Sequence, residues 1–280
     1  MEKITRISTE LKDWILDALR SGVNPELLVD ALIKKGFDAR FSYTLLFQMI
    51  RNQTIVTVDR EQVPYQPEIP PIGKKGNVIS ASDREVKVTM RLEKPFMMYL
   101  DNFLSIEECD ELINLSKSRL THSQVIDAAS GERTIVAGRT SEGTEYALRE
   151  TPLIHKIERR IQETTNYPID HGESLQVLHY NKGDEYKAHY DYFPNSKVDA
   201  TKGGQRVATL LIYLNDVTEG GETVFPKINL QISPKKGSAL YFHYGNQKGQ
   251  TDRLSLHSSV PIIEGEKWVA TKWIRQGKIY

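Results

Sequence analysis

Seven histidines are the side chains in this 280-residue chain best able to hold a metal: His122, His155, His171, His179, His189, His243 and His257. Two of them begin a His-x-acid triplet, His171-Gly172-Glu173 and His189-Tyr190-Asp191. Residues two apart in an extended strand point to the same face, so an imidazole and a carboxylate at that spacing can bind one ion. Roughly one such triplet arises by chance in a chain of this composition, so either alone reads as a polar surface or capping feature. Their surroundings separate them. His171 follows Tyr167-Pro168-Ile169-Asp170, a polar joint, and is expected with Glu173 to lie far from any metal. His189 and Asp191 fall in a strand-like run from Tyr186 to Tyr192. A second imidazole from a distant strand would complete two histidines and one carboxylate. That triad leaves three metal positions open and suits non-haem Fe(II) oxygen chemistry. His257, in the strand-like run Leu256 to Ile262, is the best-placed candidate.

Lys267 follows ten residues after His257, past the turn Glu264-Gly265-Glu266. It shares strand parity with Val269, Thr271 and Trp273. If that face points inward, a buried ammonium needs an anionic partner, and a ligand carboxylate would serve. If it points outward, Lys267 is a rim lysine beside Glu266. Tyr180 offers a phenol as a second donor to a carboxylate. Arg206 shares parity with Ala208 and Leu210 and reads as a pocket wall or as a strand-end salt bridge. Tyr186 and Trp273 read as core packing or as walls of a site.

The elements that must position these residues follow from periodicity. Leu11, Ile15 and Leu19 recur at helical spacing, with Trp14 and Ala18 beside them and Gly22 as a stop. Asn24-Pro25 caps a second helix carrying Leu27, Leu28, Ala31 and Leu32, which ends at Gly36. A third apolar run spans Phe41 to Ile50. Residues 1–57 therefore read as a small helical module. Four of the twelve prolines fall in residues 58–77, which read as a semi-rigid linker. Residues 78–280 form the second domain. It opens with a strand over Val86–Leu92, a capping box at Ser105-Ile106-Glu107-Glu108 leading a helix to about Arg119, and a helix from Thr151-Pro152. Strand-like runs follow at 174–180, 186–191, 206–214, 222–225, 228–232, 238–242, 256–262 and 268–275. Such close spacing predicts a β-sandwich or barrel, jelly roll included. Residues 128–145 read as a long functional loop.

From about Tyr99 to Arg275 the chain resembles the prolyl 4-hydroxylase family of Fe(II)/2-oxoglutarate dioxygenases. The resemblance rests on Asp101-Asn-Phe-Leu with Glu108-Cys109, Arg139-Thr-Ser, Leu175-Gln-Val-Leu-His-Tyr180 and His189-Tyr-Asp191. It continues through Arg206-Val-Ala-Thr-Leu-Leu-Ile-Tyr-Leu-Asn215, Gly220-Gly-Glu-Thr-Val-Phe-Pro226, Pro234-Lys-Lys-Gly237, Leu256-His257 and Lys267-Trp-Val-Ala-Thr-Lys-Trp273. It implies a mainly β fold with flanking helices, the double-stranded β-helix, a distorted jelly roll. It implies His189, Asp191 and His257 as iron ligands. Lys267 and Tyr180 would bind the distal carboxylate of 2-oxoglutarate, whose other end chelates the iron. Tyr186, Arg206 and Trp273 would line a peptide channel under a flap at 128–145. The implied reaction uses O2 to decarboxylate 2-oxoglutarate to succinate and CO2 and hydroxylates C4 of a peptidyl proline, with ascorbate re-reducing the iron. Two other readings stay open: the same chemistry on a free amino acid or small metabolite, and a catalytically idle protein-binding module.

Composition excludes other classes. Lys plus Arg and Asp plus Glu both number 37, so no net charge draws the chain to nucleic acid or an anionic membrane. The longest apolar stretches, such as Val207 to Leu214, are far short of the ~20 residues of a membrane span. The N-terminus lacks a signal-peptide core and the C-terminal Gly277-Lys-Ile-Tyr280 is no retention or lipidation signal. The single Cys109 excludes an internal disulfide, and a reducing cytoplasm is the expected compartment. The expected partner is a proline-containing peptide or protein; a homodimer stays open.

Overall fold

The computed structural model describes residues 8–20, 23–56, 65–122, 125–126, 133–134, 140–194 and 197–279. The chain divides into two compact units, Met1–Pro64 and Tyr65–Tyr280. In the first, helices span Thr9–Arg20, Pro25–Lys34 and Ala39–Val56. The Asn24 side chain accepts from the Glu26 N–H, and Pro25, with no N–H to satisfy, opens the helix. Ile15, Leu28, Val29, Leu32, Leu46 and Met49 bury one shared core. Leu27 and Trp14, expected beside the apolar stripes, face solvent instead. Gly22 lies outside the described residues.

The linker expected over 58–77 is shorter than its prolines suggest. Residues 57–64 lie outside the described residues. From Tyr65 the chain is already part of the second unit. Ile72 is fully buried in its main core, and Asn246 donates to the Gln66 carbonyl at 3.1 Å. Pro71 starts a short 3-10 turn, Pro71–Lys74, where its fixed φ is an asset rather than a break.

The second unit is built on an antiparallel nine-stranded sheet. Its spatial order is Val78–Ala81, Arg84–Leu92, Phe96–Asp101, Ala239–His243, Arg206–Tyr213, Lys267–Arg275, Leu175–Tyr180, Glu142–Tyr146 and Thr121–His122. A four-stranded sheet runs Leu230–Ile232, Thr223–Phe225, His257–Ser259 and Tyr186–His189. Met97, Tyr213, Phe242 and Val269 of the large sheet meet Phe225 and Ile232 of the small one in one apolar cluster. The outer face of the large sheet is covered by helices Ile106–Lys117 and Pro152–Thr165, through Leu112, Ile154 and Ile157. The Ser105–Glu108 capping box forms as the sequence predicts, and Thr151 caps the second of these helices. This two-sheet arrangement is the jelly-roll geometry expected from the strand spacing.

Two loop assignments change. Glu142–Tyr146, expected at the end of a long loop, is a strand of the large sheet, paired with Leu175–Tyr180. Of the expected flap, residues 128–132 and 135–139, including Arg139, lie outside the described residues. No helix among the described residues is long and apolar enough to cross a membrane.

Candidate metal centre

His189 and His257 face each other across neighbouring strands: they are paired in the antiparallel register of Tyr186–His189 with His257–Ser259. Their ring centroids are 4.4 Å apart. Asp191 lies between their tips, with its carboxylate oxygens 3.5 Å from Nε2 of His189 and 3.7 Å from Nε2 of His257. Among the described residues these three form the group of His, Cys, Asp and Glu side chains compact enough for one ion, with ligand atoms all within 4.8 Å of one another.

The donor set fits a divalent metal. Nδ1 of His189 donates to the Lys187 carbonyl at 2.8 Å, and Nδ1 of His257 to the Ser255 carbonyl at 3.0 Å. A carbonyl can only accept, so each ring carries its proton on Nδ1 and turns the Nε2 lone pair to the centre. Burial pushes the His257 pKa down to about 4 against the pull of Asp191, so its imidazole is neutral at neutral pH. Burial alone would raise the Asp191 carboxyl, but His257 and His189 hold it below the ordinary carboxylate range. His171 and Glu173 do not belong to this group.

The spacing argument for Asp191 holds in outcome but not in cause. The strand stops at His189, and Asp191 sits in the bend beyond it. It is kept beside the histidines by side chains from elsewhere. Thr209 Oγ1 donates to Asp191 Oδ2 at 2.7 Å, and Arg206 Nη1 donates to the Asp191 carbonyl at 3.1 Å.

Lys267 faces inward, not the rim beside Glu266. It is 2% exposed and donates to the Gly221 carbonyl at 2.7 Å and to Ser259 Oγ at 2.8 Å. Gly221 presents that carbonyl from a left-handed turn with φ +70°, where an added Cβ would lie 2.6 Å from the Ile262 side chain. Glu266 is engaged elsewhere, 2.6 Å from His179 Nε2. Tyr180 pairs in register with Lys267 and is equally buried. One pocket is lined by the triad together with Tyr180, Tyr186, Lys267, Val269, Thr271 and Trp273, as the parity of the last strand requires. Ser259 and Thr209 complete its surroundings and were not singled out from sequence; Glu173, expected far from the metal, instead lies near it, bridged to the Arg206 that holds the Asp191 carbonyl. Isolated polar residues in strands carry no spacing signal of their own.

Arg206 departs from the parity reading. A register shift between Arg206 and Ala208 breaks the alternation. Ala208 and Leu210 face the helix-covered core, whereas Arg206 stacks on Trp273, 4.0 Å from its ring centre. Its Nε and Nη2 form a forked pair with Glu173, both at 2.7 Å. The salt-bridge alternative therefore describes its contacts, and the bridge lies next to the metal centre.

Residues 175–275 match the family model of the 2OG-Fe(II) oxygenase superfamily. Prolyl 4-hydroxylase 2 of Arabidopsis thaliana is 42% identical over 209 residues, covering 67% of this chain and 70% of that protein. Prolyl 4-hydroxylase 5 of the same plant is 39% identical over 199 residues, covering 64% and 68%. The crystal structure of a viral collagen prolyl hydroxylase from Paramecium bursaria Chlorella virus-1, in its 2-oxoglutarate complex, superposes with a TM-score of 0.52 at 33% identity. That match covers 64% of this chain and 95% of the viral one. The fold is thus the double-stranded β-helix, and with Fe(II), 2-oxoglutarate and O2 as its cofactor and cosubstrates the chain belongs to the prolyl 4-hydroxylase family of 2-oxoglutarate-dependent oxygenases.

Proposed function

We propose that this enzyme hydroxylates a peptidyl proline, with oxidative decarboxylation of 2-oxoglutarate to succinate and CO2. The observation that carries the reading is the triad His189, Asp191 and His257 sharing one pocket with the buried ammonium of Lys267. Bound there, Fe(II) would supply the activation of O2. The protein's part is to bind, orient and keep water out.

His189, Asp191 and His257 would hold the iron through Nε2, one carboxylate oxygen and Nε2. Lys267 and Tyr180 would bind the distal carboxylate of 2-oxoglutarate, the ammonium by charge and the phenol by hydrogen bond. Ser259 keeps Lys267 aimed while that carboxylate is absent. Tyr186 and Trp273 would form the walls along which an extended peptide lies. Tyr186 stacks on His189 with ring centroids 3.6 Å apart, so one wall reaches the metal itself. Arg206, occupied by Glu173, backs the Trp273 wall and keeps N–H groups for a peptide carbonyl. Proline suits a groove of this kind, because its fixed φ already favours the extended form.

The domain scheme we favour is a helical module over 1–57 and a catalytic domain from Tyr65. We assign the enzyme to the cytoplasm on its single, buried cysteine, and ascorbate to turnover support. The test is mass spectrometry of proline-containing peptides and lysate proteins after incubation with enzyme, Fe(II) and 2-oxoglutarate. The expected product gains one oxygen atom on proline in step with succinate. Succinate released with oxygen gained on a free amino acid alone would replace the peptidyl reading.

A further inference from the structure

The bend that carries Asp191 is gripped by three side chains from the start of one neighbouring strand. Gln205 pairs with both backbone groups of Phe193: its Oε1 accepts from the Phe193 N–H and its Nε2 donates to the Phe193 carbonyl, each at 2.7 Å. Arg206 donates to the Asp191 carbonyl. Thr209, fully buried, donates to Asp191 Oδ2. A regular ladder would place Arg206 and Thr209 on opposite faces. The register shift between Arg206 and Ala208 brings both to the Asp191 side.

Behind these contacts stands a second layer. Tyr244, also fully buried, lies with its hydroxyl 2.9 Å from Thr209 Oγ1. Thr209 has one hydroxyl proton, and the carboxylate takes it. Tyr244 must therefore donate to Thr209, and the chain of donors runs one way, from Tyr244 through Thr209 to Asp191. Such a chain strengthens each of its bonds. On the other flank, Glu173 fixes the Arg206 fork, while the guanidinium lies over the rings of Phe193 and Trp273 at 4.7 and 4.0 Å.

We propose that Thr209 and Arg206 are positioning residues for the metal. Thr209, with Tyr244 behind it, pins Oδ2 of Asp191, the oxygen 3.7 Å from Nε2 of His257, and so fixes the plane in which the carboxylate meets the ion. Arg206, locked by Glu173, fixes the backbone of the same residue, which no strand ladder holds. The centre is thus shaped before metal arrives. This inference rests on the metal-centre reading above and extends it to residues that do not touch the metal.

The test is Co(II) binding to the full-length metal-free protein, followed by calorimetry and by the visible absorption of the bound ion. Loss of a group that orients a metal ligand typically costs about 10–100-fold in metal affinity. Thr209→Val removes the donor at nearly constant shape and should weaken Co(II) binding by that factor. Thr209→Ser should restore it. Tyr244→Phe should weaken binding less and shift the absorption bands. His257→Ala is the reference and should lose binding altogether. If Thr209→Val binds Co(II) like the parent protein while His257→Ala does not, the positioning role is overturned and the metal centre stands. If the parent protein itself binds no Co(II), the metal-centre reading fails. Should Thr209→Val not fold, Tyr244→Phe and Arg206→Lys decide: weakened binding in both supports the proposal, and parent-like affinity in both overturns it.

Discussion

Lys267 lies directly across the strand pairing from Tyr180, with its ammonium 5.6 Å from the centre of the phenol ring. Its hydrogen-bond partners in the ligand-free protein, Gly221 and Ser259, are neutral. Burial pushes its pKa down to about 7, with Glu222 pulling weakly the other way. A dianionic 2-oxoglutarate needs the charged form. Binding should therefore take up close to one proton at pH 8 and almost none at pH 6. Calorimetry in buffers of different ionisation heat measures this directly; equal uptake at both pH values would contradict it. Lys267→Ala should raise the 2-oxoglutarate KM at least ~100-fold, since breaking one side of a buried ion pair costs about 3–5 kcal/mol.

The same shift sets a stability trend. The folded pKa of about 7 lies below the ordinary lysine value of 10.5, so between these two the unfolded chain binds more protons. The contribution of Lys267 to stability must then rise with pH across that window. It is least favourable below pH 7. Denaturant unfolding of ligand-free protein should show a positive slope from pH 7 to 10 that Lys267→Met removes. A slope unchanged by that substitution would mean the lysine is charged when buried.

His257→Ala should abolish both metal retention and 2-oxoglutarate turnover, because the remaining His189 and Asp191 offer only two donors. Metal analysis after gel filtration and a succinate assay check both losses. Turnover at the parent rate in this variant would remove His257 from the triad.

Trp273→Ala should uncouple the reaction. No metal-ligand atom or cosubstrate donor is removed, so Co(II) and 2-oxoglutarate binding should change less than threefold by our order-of-magnitude expectation for a residue outside both sites. Peptide hydroxylation should collapse. Because Arg206 stacks on this ring, Trp273→Phe is the control that keeps an aromatic surface. Normal hydroxyproline yield from the alanine variant would place the peptide elsewhere.

A chain beginning at Tyr65 should fold and convert 2-oxoglutarate slowly without peptide. A chain beginning at Gly76 should not, although the proline-rich composition makes that an inviting cut. It deletes Ile72, fully buried, and the loss of such a core side chain costs about 2–5 kcal/mol. Thermal unfolding of the two chains tests the difference.

The sequence was most legible where chemistry and periodicity coincide. His189, His257 and Lys267 lie on strands whose parity can be counted, and the structure brings them to one pocket. Asp191 was found by a spacing that seemed to need a strand, while its place is really set by Thr209 and Arg206, 18 and 15 residues away. Glu173 was set aside with His171 for its polar joint, and its true place was not legible because its partner Arg206 is 33 residues distant and hidden behind a register shift that composition does not announce. Phe96–Asp101 escaped notice because a short continuous apolar run has no alternation to tell a buried strand from a helix segment. Glu142–Tyr146 carries polar residues that only the pairing with Leu175–Tyr180 makes into a strand.

The strand that grips the Asp191 bend, Arg206–Tyr213, has partners on both sides, Ala239–His243 and Lys267–Arg275. It cannot open without tearing the middle of the large sheet. Its amides should be among the last to exchange with solvent, leaving only by opening of the whole unit. Anchoring to such a strand gives a short bend the persistence of the sheet centre. Heating should therefore leave the donor geometry intact until the β unit melts as a body, so metal release and loss of the fold become one event.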